Sequence, residues 1–222
     1  MRKLGIQQRL VLWTSAAAAA LVCAAMVYLG TRTSDAIRIE TAGLPTIGDP
    51  KAKVSVIVFE DFLCKGCRIF NEEIFPQIES RYVAFGHVRY TLIPLGFMED
   101  SKPLGNAAFA VHKIAPDRFF SFAKELFRTT ETVHRLDIDL EILLDLAKKV
   151  GGIDLKRFEE CVRTKCYFSE LDSHYEKAKE LFGERFGTPA ILIDGVLTPP
   201  SSFRLIQFRI DKALGLPVKE TP

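Results

Sequence analysis

Val-Ser-Val-Ile-Val-Phe (54–59), followed after four residues by Cys-Lys-Gly-Cys (64–67), decides the fold class of this chain. A continuous apolar run of this length is typical of a central strand that is buried on both faces. The cysteines then lie at the first turn of a helix predicted over residues 64–82. The N–H groups and partial positive charge of a helix start stabilise a thiolate. The pattern therefore predicts a redox-active cysteine pair, although the same spacing also occurs in half of a zinc site.

The two cysteines are expected to have different roles. Disulfide exchange needs one accessible, partly ionised thiol that attacks and a second thiol that resolves the mixed disulfide. We expect Cys64 to attack because it lies at the exposed start of the helix, and Cys67, one turn later, to be covered and to resolve. Lys65 is expected to favour the Cys64 thiolate through its charge. Gly66 is expected to leave room for an approaching substrate chain.

A second pair, Cys161 and Cys166, is predicted to form a structural disulfide. Residues five apart on an unbroken helix are separated by about 7.5 Å along its axis, which exceeds the usual Cα separation of about 4.4–6.8 Å in a disulfide. The helix must therefore break near Thr164-Lys165. Two free buried thiols are the alternative. A zinc site that joins both pairs is disfavoured because the second spacing is too wide for a zinc knuckle, and the histidines occur singly, so we expect no metal.

Residues 10–29 are almost entirely apolar or small, and residues 1–9 contain basic residues but no acid. About 20 such residues span a bilayer as a helix, and the preceding positive charge predicts a cytoplasmic N-terminus. A cleaved signal is the alternative, but its apolar region is usually shorter. We expect an uncleaved transmembrane anchor, a tether over 30–43, and a catalytic part outside the cytoplasm, in the bacterial inner membrane or periplasm, where disulfides persist.

The rest of the chain is close to neutral. Three of the 30 Lys and Arg residues precede the apolar segment, which leaves 27 basic residues against 28 Asp and Glu residues. Because no basic cluster stands out, the composition argues against a nucleic acid partner.

The remaining pattern predicts an α/β fold in which a block of helices interrupts a split βαβ…ββα arrangement. Pro76 predicts a kink in the first helix, and Thr188-Pro189 is predicted to be cis and to present a strand edge to an extended substrate. The predicted later elements are a strand over 87–93, helices within 104–183, a strand over 190–193, a hairpin turn at 194–195 and a last helix to about 214. The predicted divisions are 44–103, an inserted helical domain over 104–183, a second half over 184–216 and a tail over 217–222.

Three segments resemble the DsbA-like thiol:disulfide oxidoreductases of the thioredoxin superfamily, in the branch that includes membrane-tethered bacterial enzymes. They are Ile-Gly-Asp-Pro (47–50), Val-Phe-Glu-Asp-Phe-Leu-Cys-Lys-Gly-Cys (58–67) and Phe-Gly-Thr-Pro-Ala-Ile-Leu-Ile-Asp-Gly (186–195). The likeness covers roughly residues 43–216. It implies a thioredoxin fold with an inserted helical domain, Cys64 as the nucleophile, and Thr188-Pro189 as the cis-proline loop that contacts substrate.

Two departures from the family pattern affect the expected chemistry. Lys65-Gly66 replaces the Pro-His of strongly oxidising members, so no histidine within the motif stabilises the thiolate. Val58 stands where many relatives have a buried acid, six residues before the first cysteine. Neither Glu60 nor Asp61 fills that position, so we expect the chain to lack this candidate proton acceptor for Cys67.

The sequence thus predicts an enzyme that passes its Cys64–Cys67 disulfide to the thiols of exported proteins. A quinone-linked membrane partner would reoxidise it, and no cofactor of its own is expected. A reductase or isomerase of the same fold is the alternative within this class. Outside it, the chain could be a thiol-based binding module or metallochaperone, or a tethered structural domain whose cysteine pair stays oxidised.

Overall fold

The computed structural model describes residues 13, 18, 20–23 and 36–218. The first six of these residues are helical. The rest of the predicted anchor over 10–29 lies outside the described residues, as do residues 1–9. No helix in the described part of the chain has the length and hydropathy of a membrane span. The chain divides into two compact units at Ala36, and the fold given below is that of the second unit.

A five-stranded mixed sheet with strand order β1-β3-β2-β4-β5 lies at the centre of this unit. The central strand β2 is parallel to β3 and antiparallel to β4, and its Val58 pairs with Leu92 and Ile191. All but one of its residues are buried, which confirms the predicted central strand. The strands are β1 Thr46–Ile47, β2 Val54–Glu60, β3 Val88–Pro94, β4 Ala190–Ile193 and β5 Val196–Thr198. The two-residue β1 pairs antiparallel with β3.

Helices follow the strands in the predicted order, and the first and last helices end at 83 and 214, close to the predicted 82 and 214. The first helix, α1 (65–83), contains several segments that are described below. The later helices are α2 Lys102–Ile114, α3 Phe119–Thr132, α4 Leu140–Val150, α5 Leu155–Thr164, α6 Phe168–Phe182 and α7 Phe203–Leu214. Ser202 caps α7 by accepting a hydrogen bond from Leu205 N, as a serine at a helix start commonly does.

The alternating side chains of β2 point into two different apolar clusters. Val54, Val56 and Val58 pack with α1, α7 and the helices α2–α5. Ile57 and Phe59 pack with residues of α6 on the opposite face of the sheet. The inserted helices therefore share a continuous core with the sheet, and the predicted boundaries of an inserted domain at 104–183 remain a proposal.

On either side of Pro76, where the sequence predicts a kink, α1 contains a π-helical segment. The helix runs as α-helical Lys65–Ile69, π-helical Phe70–Ile74, α-helical Phe75–Ile78 and π-helical Glu79–Val83. Pro76 has no N–H to donate and its ring crowds the preceding turn. A widened turn before the proline accommodates both effects. Asn71 lies in that widened turn and is buried.

The break predicted near Thr164 is confirmed, because α5 ends there and Lys165 adopts a left-handed conformation with φ of 56°. The turn allows a disulfide between Cys161 and Cys166, whose Cα atoms are 5.2 Å apart. Asn106 of α2 is fully buried beside this loop. Its amide donates to the Cys161 carbonyl at 3.3 Å and accepts from Tyr167 N at 2.8 Å, which ties the loop to α2.

Gly105 allows α2 to pack closely against the end of β3. A Cβ atom at this position would lie 2.8 Å from the carbonyl oxygen of Leu95 and 3.1 Å from both methyl groups of Leu171. The backbone oxygen cannot move aside as the tip of a flexible side chain would.

We expect Gly105→Ala to destabilise the protein by about 1–3 kcal/mol through overpacking. Alanine is more favourable than glycine in a helix by about 1 kcal/mol. Helix propensity alone therefore predicts that Gly105→Ala would stabilise the protein. Urea unfolding measures the change. The exposed α6 substitution Ser173→Ala is the control and should stay within about 0.5 kcal/mol of the parent. A Gly105→Ala protein more stable than the parent would contradict the proposed close packing.

Candidate active site

The turn between β2 and α1 places Cys64 at the N-cap of the helix. Its backbone is extended, with φ −75° and ψ 115°, and its N–H donates to the Asp61 carbonyl at 3.0 Å. The Cys64 Sγ atom accepts a hydrogen bond from Cys67 N at 3.3 Å. The sulfur therefore takes the place of the side-chain oxygen that usually caps a helix.

The buried Asp61 side chain fixes this turn. One carboxylate oxygen accepts from Leu63 N at 3.0 Å. The other accepts from Ser101 Oγ at 2.7 Å, Phe97 N at 3.1 Å and Met98 N at 3.3 Å. A single carboxylate thus joins the turn before Cys64 to the loop that follows β3.

Cys64 is partly exposed, and its environment favours the thiolate. A hydrogen bond from the Cys67 thiol is the largest influence, and together with the Thr188 side chain and the N–H groups of Cys67 and Gly66 it lowers the pKa of Cys64 to about 6 against the opposing effect of burial. Cys67 is fully buried. Burial, the hydrogen bond to Cys64 and the nearby Glu60 carboxylate raise the pKa of Cys67 well above its ordinary value. The two thiols thus differ as attack and resolution require.

The Thr188-Pro189 peptide is cis and lies against the cysteine pair. The Thr188 carbonyl oxygen is 3.3 Å from Cys64 Sγ and accepts a hydrogen bond from the thiol form. A Cβ atom on Gly66 would lie 3.2 Å from that oxygen and 3.5 Å from Pro189 Cδ. The structure therefore brings Cys64, Cys67, Gly66, Thr188 and Pro189 together.

Lys65 is exposed, and the hydrogen bonds named above lower the pKa of Cys64 without it. Water screens an exposed ammonium group strongly. The tuning role expected of Lys65 remains a prediction. A cleft of about 200 Å³ adjoins Cys64 between α1 and the end of α3. Arg68 and Glu131 line this cleft and form an ion pair of 2.8 Å that joins the two helices.

Glu60 is fully buried, so the expectation that the chain lacks a buried acid near Cys67 is wrong. Desolvation raises the pKa of Glu60 to about 8, with a smaller contribution from Cys64, although the Asn71 amide opposes the shift. Successive side chains of a strand point to opposite faces, so Val58 and Glu60 share a face. The buried acid of this chain therefore lies at position 60, two residues closer to the cysteines than position 58, where many relatives have theirs. An ionisable residue in phase with three buried valines was the sequence signal for it.

The remaining polar candidates lie outside this cluster. His112 bonds to the Gly43 carbonyl at 2.9 Å, and His174 bonds to the Pro94 carbonyl at 2.9 Å. Burial lowers the pKa of both rings. In the described residues no group of three or more His, Cys, Asp and Glu side chains is placed to hold a metal ion. The Cys161–Cys166 disulfide lies at the turn between α5 and α6.

Comparisons with known proteins agree with this geometry. The family model described as Thioredoxin matches residues 40–212. The probable disulfide bond formation protein D of Bacillus anthracis is 28% identical over 171 residues, which are 76% of this chain and 77% of that protein. Oxidised BdbD from Bacillus subtilis has a TM-score of 0.74 and 24% identity, covering 81% of this chain and 97% of that chain. DsbA from Chlamydia trachomatis has a TM-score of 0.73 and 25% identity, covering 81% and 95%. The chain therefore belongs to the thioredoxin family, and its resemblance to the DsbA-like thiol:disulfide oxidoreductases is confirmed.

Proposed function

We propose that this chain is an extracytoplasmic thiol:disulfide oxidoreductase that introduces disulfides into exported proteins. The observation that carries the proposal is the contrast between Cys64 and Cys67. Cys64 is partly exposed, has a pKa of about 6 and faces the cis-proline loop, whereas Cys67 is buried and has a raised pKa. In such a pair one sulfur is open to attack, and the buried sulfur can act as the leaving group or as the resolving thiol.

The reaction begins when a substrate thiolate attacks Cys64 Sγ of the oxidised pair. The Cys64–Cys67 bond breaks, and Cys67 leaves as a thiolate that takes up a proton. A second substrate thiolate then attacks the mixed disulfide, and Cys64 leaves as a thiolate. The low pKa of Cys64 makes it a good leaving group. Two electrons pass from the substrate thiols to the cysteine pair, and the substrate gains one disulfide.

Glu60 supplies the proton for the buried sulfur in this proposal. With a pKa of about 8, Glu60 is mostly protonated at neutral pH. It can give a proton to Cys67 when that sulfur leaves and take the proton back when Cys67 attacks. A group with a pKa near the working pH is suited to both directions.

Support for the oxidase direction comes from the relative named for disulfide bond formation. An exported location rests on the apolar segment 10–29, and the quinone-linked partner that would reoxidise the pair belongs to the same proposal. A reductase or isomerase is the second candidate. The pKa of Cys64 at about 6 lies between the values of about 3.5 for DsbA and about 7 for thioredoxin.

The first test is the pH dependence of Cys64 alkylation. In a Cys23→Ser background, the rate with iodoacetamide should rise about tenfold per pH unit below the pKa of about 6 and level off above it, because only the thiolate reacts. Cys64→Ser is the control and should remove this fast phase. A rate that keeps rising to about pH 8.5, as for an ordinary thiol, would remove the basis of the proposed function.

Glu60→Gln should stabilise the reduced protein increasingly as the pH rises. The folded state holds a proton on Glu60 up to about pH 8, whereas the ordinary pKa is 4.5. The contribution of Glu60 to the stability of the wild type is therefore lost as the pH rises from 4.5 through about 8, and the glutamine variant lacks this loss. Urea unfolding at several pH values measures the effect. The exposed α1 substitution Glu73→Gln should show no such trend, and a flat difference for Glu60→Gln would contradict the raised pKa.

The redox potential of Cys64–Cys67 tests the direction of electron flow. We expect a value between about −270 mV, as in thioredoxin, and about −120 mV, as in DsbA. Equilibration with glutathione gives the value. The oxidised protein should also accelerate the refolding of a reduced protein with several disulfides, and Cys64→Ser should abolish this activity. A potential at or below the thioredoxin value, with reduction of insulin instead, would favour the reductase.

A further inference from the structure

Because Glu60 is buried, the proton that it exchanges with Cys67 has no direct access to water. Under the proposed function, on which this inference rests, Cys67 gains a proton when it leaves and loses one when it attacks. Both Cys67 and Glu60 have 0% exposure. A proton passed between them must still be exchanged with solvent once in each half of the cycle. The surroundings of Glu60 therefore have to provide a polar route outward.

Asn71 lies on one side of Glu60 and is the innermost polar group of such a route. Its amide nitrogen donates to both carboxylate oxygens of Glu60, at 2.8 and 2.9 Å, and to the Cys67 carbonyl at 3.0 Å. The residue retains 8% exposure. It belongs to the first π-helical segment of α1, and such segments are frequent at functional sites.

Asn71 also lines a cleft between α1 and α3 with a volume of about 220 Å³. Water occupies about 30 Å³ per molecule, so the cleft has room for several. Its outer residues Glu72, Lys124 and Arg128 are exposed, which keeps the mouth in contact with solvent. Phe127 and Pro76 form the apolar part of the wall.

Tyr90 is a second polar group at the buried end. Its side chain is fully buried, and its hydroxyl has no hydrogen-bond partner within the part of the chain that the structure describes. Burial raises the pKa of Tyr90 well above its ordinary value, and the charges of Glu60 and Cys67 add to this shift. Buried hydroxyl groups nearly always form a hydrogen bond, and internal water commonly supplies it. The unpaired hydroxyl therefore adds a polar group to the buried end of the route, at which a water molecule could bind.

We propose that the cleft between α1 and α3 conducts protons between solvent and Glu60 through water, with Asn71 as the positioning residue at its inner end. When Cys67 leaves, Glu60 gives up its proton and regains one from water in the cleft. When Cys67 attacks, the proton moves to Glu60 and then to that water. In addition to burial, Cys64 on α1 raises the pKa of both Glu60 and Cys67, Glu60 raises that of Cys67, and both Glu60 and Cys67 raise that of Tyr90 on β3.

Asn71→Leu tests the route because leucine is similar in size and carries no polar group. Mixing the reduced protein with glutathione disulfide gives two phases, attack by Cys64 and then closure by Cys67 with release of glutathione. We expect closure to slow by about 10- to 100-fold, up to the lower end of the usual range for acid–base catalysis, and attack to remain unchanged. Asn71→Ser, which is smaller and polar, should recover most of the closure rate. The pH profile of closure should flatten in the leucine variant.

Two further variants separate this effect from damage to the fold. Gln77→Leu removes an equivalent amide bond to a carbonyl four residues earlier in α1, but away from Glu60, and should close normally. Lys124→Trp places a bulky group at the exposed mouth and should slow closure without lowering stability. Normal closure in both Asn71→Leu and Lys124→Trp would overturn the route and leave the proposed function intact. A wild-type protein that forms no mixed disulfide at Cys64 would overturn both.

Discussion

The turn between β2 and α1 has to hold two sulfur atoms in hydrogen-bonding contact while giving them opposite environments. Cys64 caps the helix and accepts from the backbone, whereas Cys67 lies one turn deeper without exposure. This contrast depends on the exact path of the backbone through residues 61–64. Asp61 holds that path by accepting four hydrogen bonds from the turn itself and from the loop after β3. The difference between the two thiols therefore depends on Asp61, which lies outside the cysteine pair.

The buried Glu60 shows that the site is not arranged for maximal stability. A carboxyl group in the core is costly unless it is protonated or well paired. Asn71 is its hydrogen-bond partner, and the pKa of Glu60 stays raised all the same. An apolar residue would fit the sequence pattern of β2 and avoid this penalty. Strongly perturbed acids of this kind are concentrated at functional sites.

Local patterns predicted what depends on local physics. The apolar run of β2, the helix after it and the break at Thr164 follow from periodicity, helix capping and the reach of a disulfide. The position of Glu60 on a core face also follows from the alternation of β2. Contacts between distant segments were not predictable. Asp61 accepts hydrogen bonds from the loop after β3. Asn71 donates to Glu60 from a π-helical turn, and the presence of Pro76 does not by itself predict a turn of that type.

The atoms closest to Cys64 Sγ also suggest how an enzyme of this kind would choose among client proteins. Besides the Cys67 thiol and the Thr188 side chain, a main-chain carbonyl, a main-chain N–H and a glycine without a side chain lie next to the sulfur. Main-chain groups are common to every polypeptide, so they read little of an amino-acid sequence. Under the proposed function, the folding state of a client would then matter more than its sequence, because a cysteine in an unfolded chain would reach Cys64 more readily than one enclosed in a folded domain.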